Sequence, residues 1–374
     1  MVAAAYTRRG VRGHATGEPL AVVVLAMLLL ATPATAEDAA LSGAQIYDGA
    51  CASCHGVDGR GAPQGTAITV PLPDFSDCDF MTREGDGNWS HLLEHGGESL
   101  ALSPQMPAFG DVLSPEQVHA VLTYIRTFCH DPRWPRGELN YPRLLLTTKA
   151  FPEDEALLAP EFAKGNGTRD WSAELSFERR VGARGQLEAA LPVAAHDVAD
   201  GPTTAGVGDA TLAYKHVIYA DLSNQTIAGA ELAIVMPTGD QHRGLGDGTV
   251  SFEPSLLAGK QLGPFIMQGQ ILGDAPLDEQ RADRGVHYRL GVSYPLSPLK
   301  RAWVPSVEVE EVQNVTADHN TLFVTPQIYT GLTKRGHVAI ALGAQIPVTG
   351  DADPLDVRVL AFLLWEYADG GLWW

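Results

Sequence analysis

Cys51-Ala52-Ser53-Cys54-His55, a CxxCH motif, is the most informative stretch of this chain. Two thiols three positions apart can each form a thioether with a vinyl group of haem, and the histidine that follows can ligate the iron from one side. A bare CxxC also suits redox pairs and zinc knuckles, but the adjoining His55 narrows the choice. We therefore predict one covalently attached haem c, held by Cys51 and Cys54 with His55 as an iron ligand. The alternative is a chance CxxCH in a cytosolic or zinc-binding protein.

The first 36 residues have the three parts of a secretory signal peptide. Three arginines before residue 13 supply the positive region, residues 20–31 (LAVVVLAMLLLA) form an apolar core, and residues 34–36 (ATA) are small enough for cleavage. An uncleaved membrane anchor is the alternative, but the apolar run is short beside the roughly 20 residues of a spanning helix. We predict cleavage before Glu37 and export to the bacterial envelope, where disulfides persist.

Length and charge limit the remaining possibilities. A chain of 374 residues is too long for one small haem domain and indicates two domains. Its 26 Lys+Arg against 45 Asp+Glu give a formal net charge of −19. Such a surface disfavours nucleic acid and anionic lipid headgroups, and it favours cationic or metal-bearing partners.

Residues 37–130 are predicted to form an all-α domain around the motif. Residues 40–50 can form a short helix with Ser42 as its N-cap. A second helix start has Ser114 as cap, Pro115 in the first turn and Gln117 to complete a capping box. Apolar residues then recur at helical spacing and predict a buried stripe: Val118, Val121, Leu122, Ile125 and Phe128.

The second iron ligand is predicted to be Met106, in the loop Gln105-Met106-Pro107-Ala108-Phe109 ahead of that helix. A thioether opposite histidine is a common axial ligand of haem iron and raises its potential. Four other side chains compete for this role: Met81, His91, His95 and His119. His95 is the strongest rival, and a His/His pair would lower the potential, whereas His119 falls on a predicted exposed helix face.

The CASCH motif, the Met106 loop and the closing helix together resemble a class I monohaem cytochrome c. The resemblance is confined to the first of the two predicted domains. It implies an all-α fold and an iron whose two axial positions are filled by His55 and Met106. Such an iron transfers single electrons and does not bind substrate.

Cys78 and Cys129 remain as an even pair outside the motif. In an oxidising compartment such a pair predicts a disulfide, and the alternative is two buried free thiols. A bridge that closes a loop of roughly 50 residues would stabilise the domain by about 3–4 kcal/mol in the chain-entropy model.

Residues 131–143 are predicted to be a stiff Pro/Gly linker, and residues 144–374 follow a different pattern. Apolar and polar residues alternate along short segments, as in residues 286–296 and 338–348, and this period of 2 predicts strands with one apolar face. About twelve segments of roughly ten residues are predicted. They start near these residues: Leu144, Trp171, Gln186, Asp209, Thr226, Thr249, Phe265, Val286, Trp303, Thr321, Val338 and Asp356.

Two architectures share this alternation, an outer-membrane β-barrel with lipid outside and a soluble β-sandwich with an apolar interior. An even strand count, connections that alternate between short and longer, and aromatic residues at segment ends, including Trp373 and Trp374, favour the barrel. In a barrel, six glutamates would point into a wet lumen: Glu174, Glu178, Glu188, Glu231, Glu253 and Glu308. The predicted fold class is therefore multidomain, an N-terminal all-α cytochrome c fold followed by an antiparallel β-barrel of about 12 strands.

Residues 206–215 (GVGDATLAYK) resemble barrel proteins of the phenol-degradation-associated outer-membrane transporter family. The whole arrangement of signal peptide, haem motif and barrel resembles the fused cytochrome–porins. This resemblance implies passage of single electrons across or at the outer membrane, with periplasmic electron carriers, extracellular Fe(II) or another donor, and outer-membrane lipid as partners. We expect the full-size haem domain to cap one barrel mouth, in the periplasm, because a lumen of twelve strands is too narrow to enclose it.

Two other functions stay open from the sequence. In one, the barrel is a small-solute channel with a tethered periplasmic cytochrome. In the other, a soluble periplasmic cytochrome carries a β-sandwich that binds partners. The sequence favours an electron-transfer protein over a turnover enzyme, with Fe(II) oxidation as the enzymatic alternative, and it indicates no catalytic triad or phosphate-binding loop.

Overall fold

The computed structural model describes residues 41–165, 168–198, 203–349 and 356–369. The predicted signal peptide, residues 1–36, and the terminal Trp373 and Trp374 lie outside the described residues. No helix in the described ranges is long and apolar enough to cross a membrane.

The N-terminal part of the described chain is helical. A π-helical turn, Tyr47–Cys51, joins the first two α-helices, and a 3-10 turn, Gly97–Leu100, follows the fourth. Ser42 and Ser114 cap the first and last helices, and Gln117 completes a capping box with Ser114, as the sequence predicts. Gln45 completes a second capping box with Ser42, which was not predicted from the sequence. The α-helices are α1 Gly43–Ile46, α2 Ala52–His55, α3 Cys78–Thr82, α4 Asp86–His95 and α5 Pro115–Arg126.

The predicted stripe on α5 forms the centre of this domain. Four of its five residues, Val118, Val121, Leu122 and Ile125, are at most 4% exposed and pack with Ile46, Tyr47 and Cys51. The fifth, Phe128, lies beyond the end of α5 and is partly buried against the same cluster. Gly43 lets α1 approach α5 closely, because a Cβ there would lie 2.1 Å from the Ala120 carbonyl oxygen. The start of the CxxCH motif is therefore packed against the closing helix.

The C-terminal part is a closed antiparallel barrel. Twelve strands form the ring in the order β2-β1-β13-β12-β11-β10-β9-β8-β7-β6-β5-β3, and β2 pairs with β3 to close it. The short β4 pairs with β3 beside β5. The strands are β1 Glu155–Gly165, β2 Thr168–Val181, β3 Gly185–Val198, β4 Thr204–Val207, β5 Ala210–Asp221, β6 Thr226–Met236, β7 Ser251–Leu262, β8 Phe265–Pro276, β9 Gly285–Ser293, β10 Val304–Asn314, β11 His319–Gly331, β12 Val338–Thr349 and β13 Val357–Glu366.

Side chains alternate between the two faces of this barrel, with apolar groups outside and polar groups inside. Along β10, Ser306, Glu308 and Glu310 are buried while Val307 and Val309 are exposed. Other exposed outer residues include Leu175, Leu191, Leu212, Leu232, Leu256, Ile271, Leu290, Leu342 and Leu363. Buried inner residues include Glu178, Gln186, Lys215, Ser255, Gln268, Gln270, Thr325 and Gln345. The predicted barrel is thus confirmed, and the β-sandwich alternative, which needs apolar faces packed together, is wrong.

The two ends of the barrel differ in their connections. At the end where β1 begins and β13 finishes, which we call the helical end, the connections are residues 182–184, 222–225, 263–264, 294–303 and 332–337. At the opposite or far end, the connections include 277–284, 315–318 and the longest of those named here, 237–250.

The sequence prediction of a strand near Leu144 is wrong, because the first strand begins at Glu155. Residues 139–154, which we call the plug segment, instead run inside the barrel. Leu139, Tyr141 and Phe151 are at most 3% exposed and pack against the inner wall. Wall side chains on strands β8, β10 and β11 accept the backbone N–H groups that a strand would pair with a neighbour. The ring of twelve strands is complete without this segment.

Candidate haem site

Cys51, Cys54 and His55 lie on consecutive helical turns in the core of the helical domain. Cys51 ends the π-helical turn and is 7% exposed, and Cys54 and His55 end α2. Both cysteines are free thiols. Burial, with a smaller contribution from Cys54, raises the pKa of Cys51 to about 11. The spacing of three residues puts both sulfurs on one side of the helical turn, as attachment to two vinyl groups requires.

His55 presents a neutral imidazole beside these thiols. Its ring stacks on Phe75 with centroids 5.0 Å apart, and its Nδ1 is buried without a hydrogen-bond partner among the described residues. Burial lowers the pKa of His55, which favours the neutral form that ligates metals. A buried ring nitrogen without a partner, next to two free thiols, fits the residues that a covalently attached haem needs.

Met106 packs, half-buried, against the same apolar cluster that contains Cys51. Its loop is fastened to the end of α4 by backbone hydrogen bonds. Gly97 N donates to Met106 O at 2.9 Å, and Phe109 N donates to Leu93 O at 2.8 Å. The Met106 side chain is therefore held in a fixed loop beside the helices that carry the motif.

The four other candidates for the second iron ligand differ from Met106 in their burial and contacts. Met81 is 3% exposed within the helical core, and His119 lies on the exposed face of α5, as expected. His95 is exposed and stacks on His91 with ring centroids 4.3 Å apart, and its Nδ1 lies 3.2 Å from the His91 carbonyl oxygen. Met106 and Met81 therefore both pack in the cluster around Cys51, but only Met106 lies in the loop ahead of α5.

A disulfide joins Cys78 to Cys129, with Cα atoms 5.0 Å apart. Cys78 begins α3 and Cys129 lies just beyond α5, so the bridge ties the middle of the domain to its last helix. Phe128 beside it packs on Tyr47 and Tyr124.

The helical domain contacts the barrel through the start of α4. Asn88 Nδ2 donates to the Arg335 carbonyl at 2.8 Å, and Lys300 N donates to Asn88 Oδ1 at 3.3 Å. Lys334 Nζ donates to the Glu98 carbonyl at 3.1 Å. Lys300, Lys334 and Arg335 all belong to connections at the helical end, so the haem domain lies at that mouth.

The interior of the barrel contains a charged network that the sequence pattern did not reveal. Arg143 Nη1 lies 3.0 Å from Glu155 Oε2 and 2.6 Å from Glu178 Oε1. Lys149 Nζ lies 2.8 Å from both Glu153 Oε1 and Glu155 Oε1. The only sequence signal was the density of charge between residues 143 and 155 in what otherwise looked like a strand.

Glu308 fixes the tip of the plug segment. Its Oε1 accepts from Thr147 N at 2.7 Å, and its Oε2 accepts from Leu146 N at 3.0 Å. Two of the six glutamates predicted to face water, Glu178 and Glu308, are therefore bound by the plug segment instead.

Comparison with known proteins relates the two parts of the chain to different groups. A family model for cytochrome c matches residues 40–128. Chloroplastic cytochrome c6 of Chlamydomonas reinhardtii is 34% identical over 119 residues, which cover 30% of this chain and 72% of that protein. The cbb3-type cytochrome c oxidase subunit FixP of Sinorhizobium medicae (strain WSM419) is 28% identical over 111 residues, 29% of this chain. The match spans only 36% of the length of FixP.

Among solved structures, the barrel is similar to outer-membrane channels. The COG4313 outer membrane channel from Pseudomonas putida F1 aligns with a TM-score of 0.46 and 15% identity, over 58% of this chain and 97% of that one. The KdgM porin aligns with a TM-score of 0.40 and 8% identity, over 56% of this chain and 98% of that one.

Proposed function

The chain belongs to the cytochrome c family through residues 40–128, and from this we propose that it is a haem c electron-transfer protein of the bacterial outer membrane. A cytochrome c domain carries covalent haem c and transfers electrons. The observation that most supports the proposal is the contact between this domain and one mouth of a closed barrel with an apolar outer surface.

One haem is proposed, with thioether bonds to Cys51 and Cys54 and with His55 and Met106 as axial ligands. The haem supplies an iron that exchanges one electron between Fe(III) and Fe(II). The chain positions it: α2 presents His55, the hydrogen bond from Gly97 N to Met106 O fixes the Met106 loop, and Phe75 packs on the imidazole. With both axial positions filled, no site remains on the iron for a substrate, so we propose a carrier rather than a turnover enzyme.

Membrane location is proposed from the distribution of side chains on the barrel. The ring strands have between 9 and 14 residues, long enough to cross a bilayer when tilted. Their exposed outer face carries leucine, isoleucine and valine at alternate positions, which lipid would cover. Outer-membrane barrels have short periplasmic turns and longer external loops. Because the long connection 237–250 is at the far end, we propose that the helical end faces the periplasm. Residues 1–36 would serve as the export signal.

The plug segment argues against the alternative function of a small-solute channel. Its backbone and its ion pairs with Glu155 and Glu178 occupy the lumen next to the helical end. A segment that fills part of the lumen hinders free passage of solutes, so we favour electron transfer over a small-solute channel. Electrons would leave to periplasmic carriers, and an external donor such as Fe(II) would approach through the far end.

Reconstitution tests the proposal directly. Full-length holoprotein is inserted into liposomes, and external protease removes the helical domains that face outward by cutting the linker near Arg133, whose side chain is 77% exposed. The haem that remains is inside the vesicles. We expect external Fe²⁺ to reduce it, which the absorption spectrum of the haem reports, and a reductant trapped inside to reduce it as well.

Two results would count against the proposal in different ways. If only the internal reductant works, electrons do not cross the membrane and the protein is a carrier anchored at its inner face. If neither donor reduces a haem that is covalently present, the electron-transfer proposal is wrong.

A further inference from the structure

Four of the six lumenal glutamates are not held by the plug segment. Glu174, Glu188, Glu231 and Glu253 lie on the inward-facing side of β2, β3, β6 and β7. Within the described ranges, none of the four has an ion-pair partner within 4.0 Å. Glu178 and Glu308, by contrast, are satisfied by Arg143 and by the backbone of residues 146 and 147.

The strand register places two of these carboxylates, Glu231 and Glu253, diagonally across the neighbouring strands β6 and β7 on the inner face of the barrel. Glu188 pairs with Ala213, Ala213 with Ala233, and Ala233 with Glu253, which makes one row across β3, β5, β6 and β7. Glu231 lies one step towards the helical end, on the same face of β6 as Ala233. This row separates Glu188 from Glu253 by three strand spacings, whereas Glu231 and Glu253 are diagonal neighbours about 7 Å apart, within reach of one ion.

An unpartnered hydroxyl faces the same space. Ser255 is opposite Glu231 in the register, is 4% exposed, and its Oγ has no hydrogen-bond partner in the part of the chain that the structure describes. Glu231 Oε2 is likewise buried and without a partner there. The nearest lysine in the register, Lys215, donates instead to the Lys149 carbonyl at 3.0 Å.

Carboxylates removed from bulk water need a compensating charge, and buried charges in proteins are paired or coordinate metals. We propose that Glu231, Glu253 and Ser255 bind a divalent metal cation in the lumen, on the far side of the plug segment. Carboxylate and hydroxyl oxygens, with no sulfur or imidazole, select hard cations of the Mg²⁺, Ca²⁺ and Mn²⁺ class.

An entry path leads to this site from the far end. A cavity of about 530 Å³ opens there, and Glu253 and Ser251 form its inner boundary while Asp247 and Asp274 lie closer to the loops. Burial and the neighbouring Asp209 and Asp274 raise the pKa of Asp247, which reports the crowding of negative charge at this mouth. A hydrated cation would be attracted through the mouth and lose part of its water shell at the glutamates.

Mn²⁺ alone serves as the probe, because the electron paramagnetic resonance signal of free aqueous Mn²⁺ falls when the ion is bound. Metal-free full-length holoprotein in detergent is titrated, and we expect one bound Mn²⁺ per chain that added Ca²⁺ displaces. The double variant Glu231→Gln/Glu253→Gln should bind at least tenfold more weakly, and Ser255→Ala severalfold more weakly. Glu311→Gln, on the opposite face of β10 from Glu308 and Glu310, is the matched control and should bind as the wild type does.

The readout does not involve the haem, so the cation site and the electron-transfer proposal can fail separately. The site is disproved if wild type binds no Mn²⁺, or if the double variant binds as tightly as the wild type. Unchanged heat-modifiable migration on a gel verifies that each variant retains its barrel. If the double variant does not fold, Ser255→Ala decides, since unchanged Mn²⁺ affinity in that variant overturns the assignment.

Discussion

Met106 and His95 differ in how firmly the protein holds them. The Met106 loop is hydrogen-bonded to the end of α4 and its side chain packs on the helical core. His95 is exposed, and its ring stacks on His91. A ligand held in place before the metal binds loses less conformational entropy on coordination, so preorganisation favours Met106.

We therefore expect Met106→Ala to abolish the weak red absorption band of Fe(III)–thioether ligation and to lower the reduction potential, because the thioether stabilises Fe(II). His95→Ala is the control and should leave both unchanged. The measurements are the oxidised-state spectrum and a spectroelectrochemical titration. Absence of the band from the wild type, with a changed reduction potential only in His95→Ala, would reverse the assignment.

The Cys78–Cys129 disulfide spans 51 residues of sequence and ties α3 to the end of α5. A loop of that length stabilises the folded state by about 4 kcal/mol in the chain-entropy model. The double variant Cys78→Ser/Cys129→Ser should lower the free energy of unfolding of the helical domain by this order, measured by denaturant titration of the haem absorption. Reduction of the wild type should lower it equally. A loss below about 1 kcal/mol in both experiments would mean that the bridge does not constrain the unfolded chain.

At this scale the sequence was most informative where covalent chemistry fixes residue identity and spacing. CxxCH can be recognised because attachment to two vinyl groups and one iron needs those residues in that order. The N-caps Ser42 and Ser114 were predictable because a serine cap bonds only to the helix that directly follows it. The exposure of His95 could not be predicted in this way, because its ring is positioned by stacking on His91 and no sequence motif indicates that contact.

At the scale of elements, period-2 alternation located the strands well and failed at one segment. Residues 144–154 look like a strand because a segment packed inside a barrel also needs both apolar and polar contacts. A strand and a segment packed inside a barrel differ in the groups that accept hydrogen bonds from their backbone N–H groups. Leu145 N donates to Gln327 Oε1 at 3.0 Å, and Thr147 N to Glu308 Oε1 at 2.7 Å, both side chains of distant strands. Such partners are visible only once the barrel has closed.

Removing the two cationic side chains of the plug segment, Arg143 and Lys149, should open the lumen of the barrel to ions. Arg143→Ala/Lys149→Ala leaves Glu155 and Glu178 buried without their cationic partners, and breaking a buried pair costs about 3–5 kcal/mol. We expect single-channel conductance in planar bilayers to be near zero for the wild type and at least severalfold higher for this variant. Lys164→Ala, at an exposed position on β1, is the control. Equal conductance in wild type and double variant would show that the plug segment does not close the lumen.

At the scale of the whole molecule, neither domain's own pattern indicated how the two fit together. The contacts join backbone carbonyls and side chains that are far apart in sequence, such as Asn88 with Arg335 and Arg83 with Ala368. Composition and periodicity predict surfaces and cores, but a polar contact between two folded units depends on shapes that form only after each has folded. The expectation that the helical domain lies at a barrel mouth came from the size of the domain, not from any residue at the contact.

Substitution of Gly87 tests the contact between the helical domain and the barrel without disrupting the fold of either one. It lies in the first turn of α4, where a Cβ would be 2.0 Å from the Pro298 carbonyl oxygen, a backbone atom that cannot swing aside. Gly87→Ala should separate the domains while slightly favouring the helix itself. Hydrogen exchange at the Lys300 amide, which donates to Asn88 Oδ1 when the two domains are in contact, should then accelerate strongly.

Gly49→Ala, where a Cβ would meet nothing within 4 Å, is the matched control and should leave the exchange at Lys300 unchanged. The haem spectrum should be the same in both variants, and equal exchange at Lys300 in the two would mean that this contact does not hold the helical domain on the barrel.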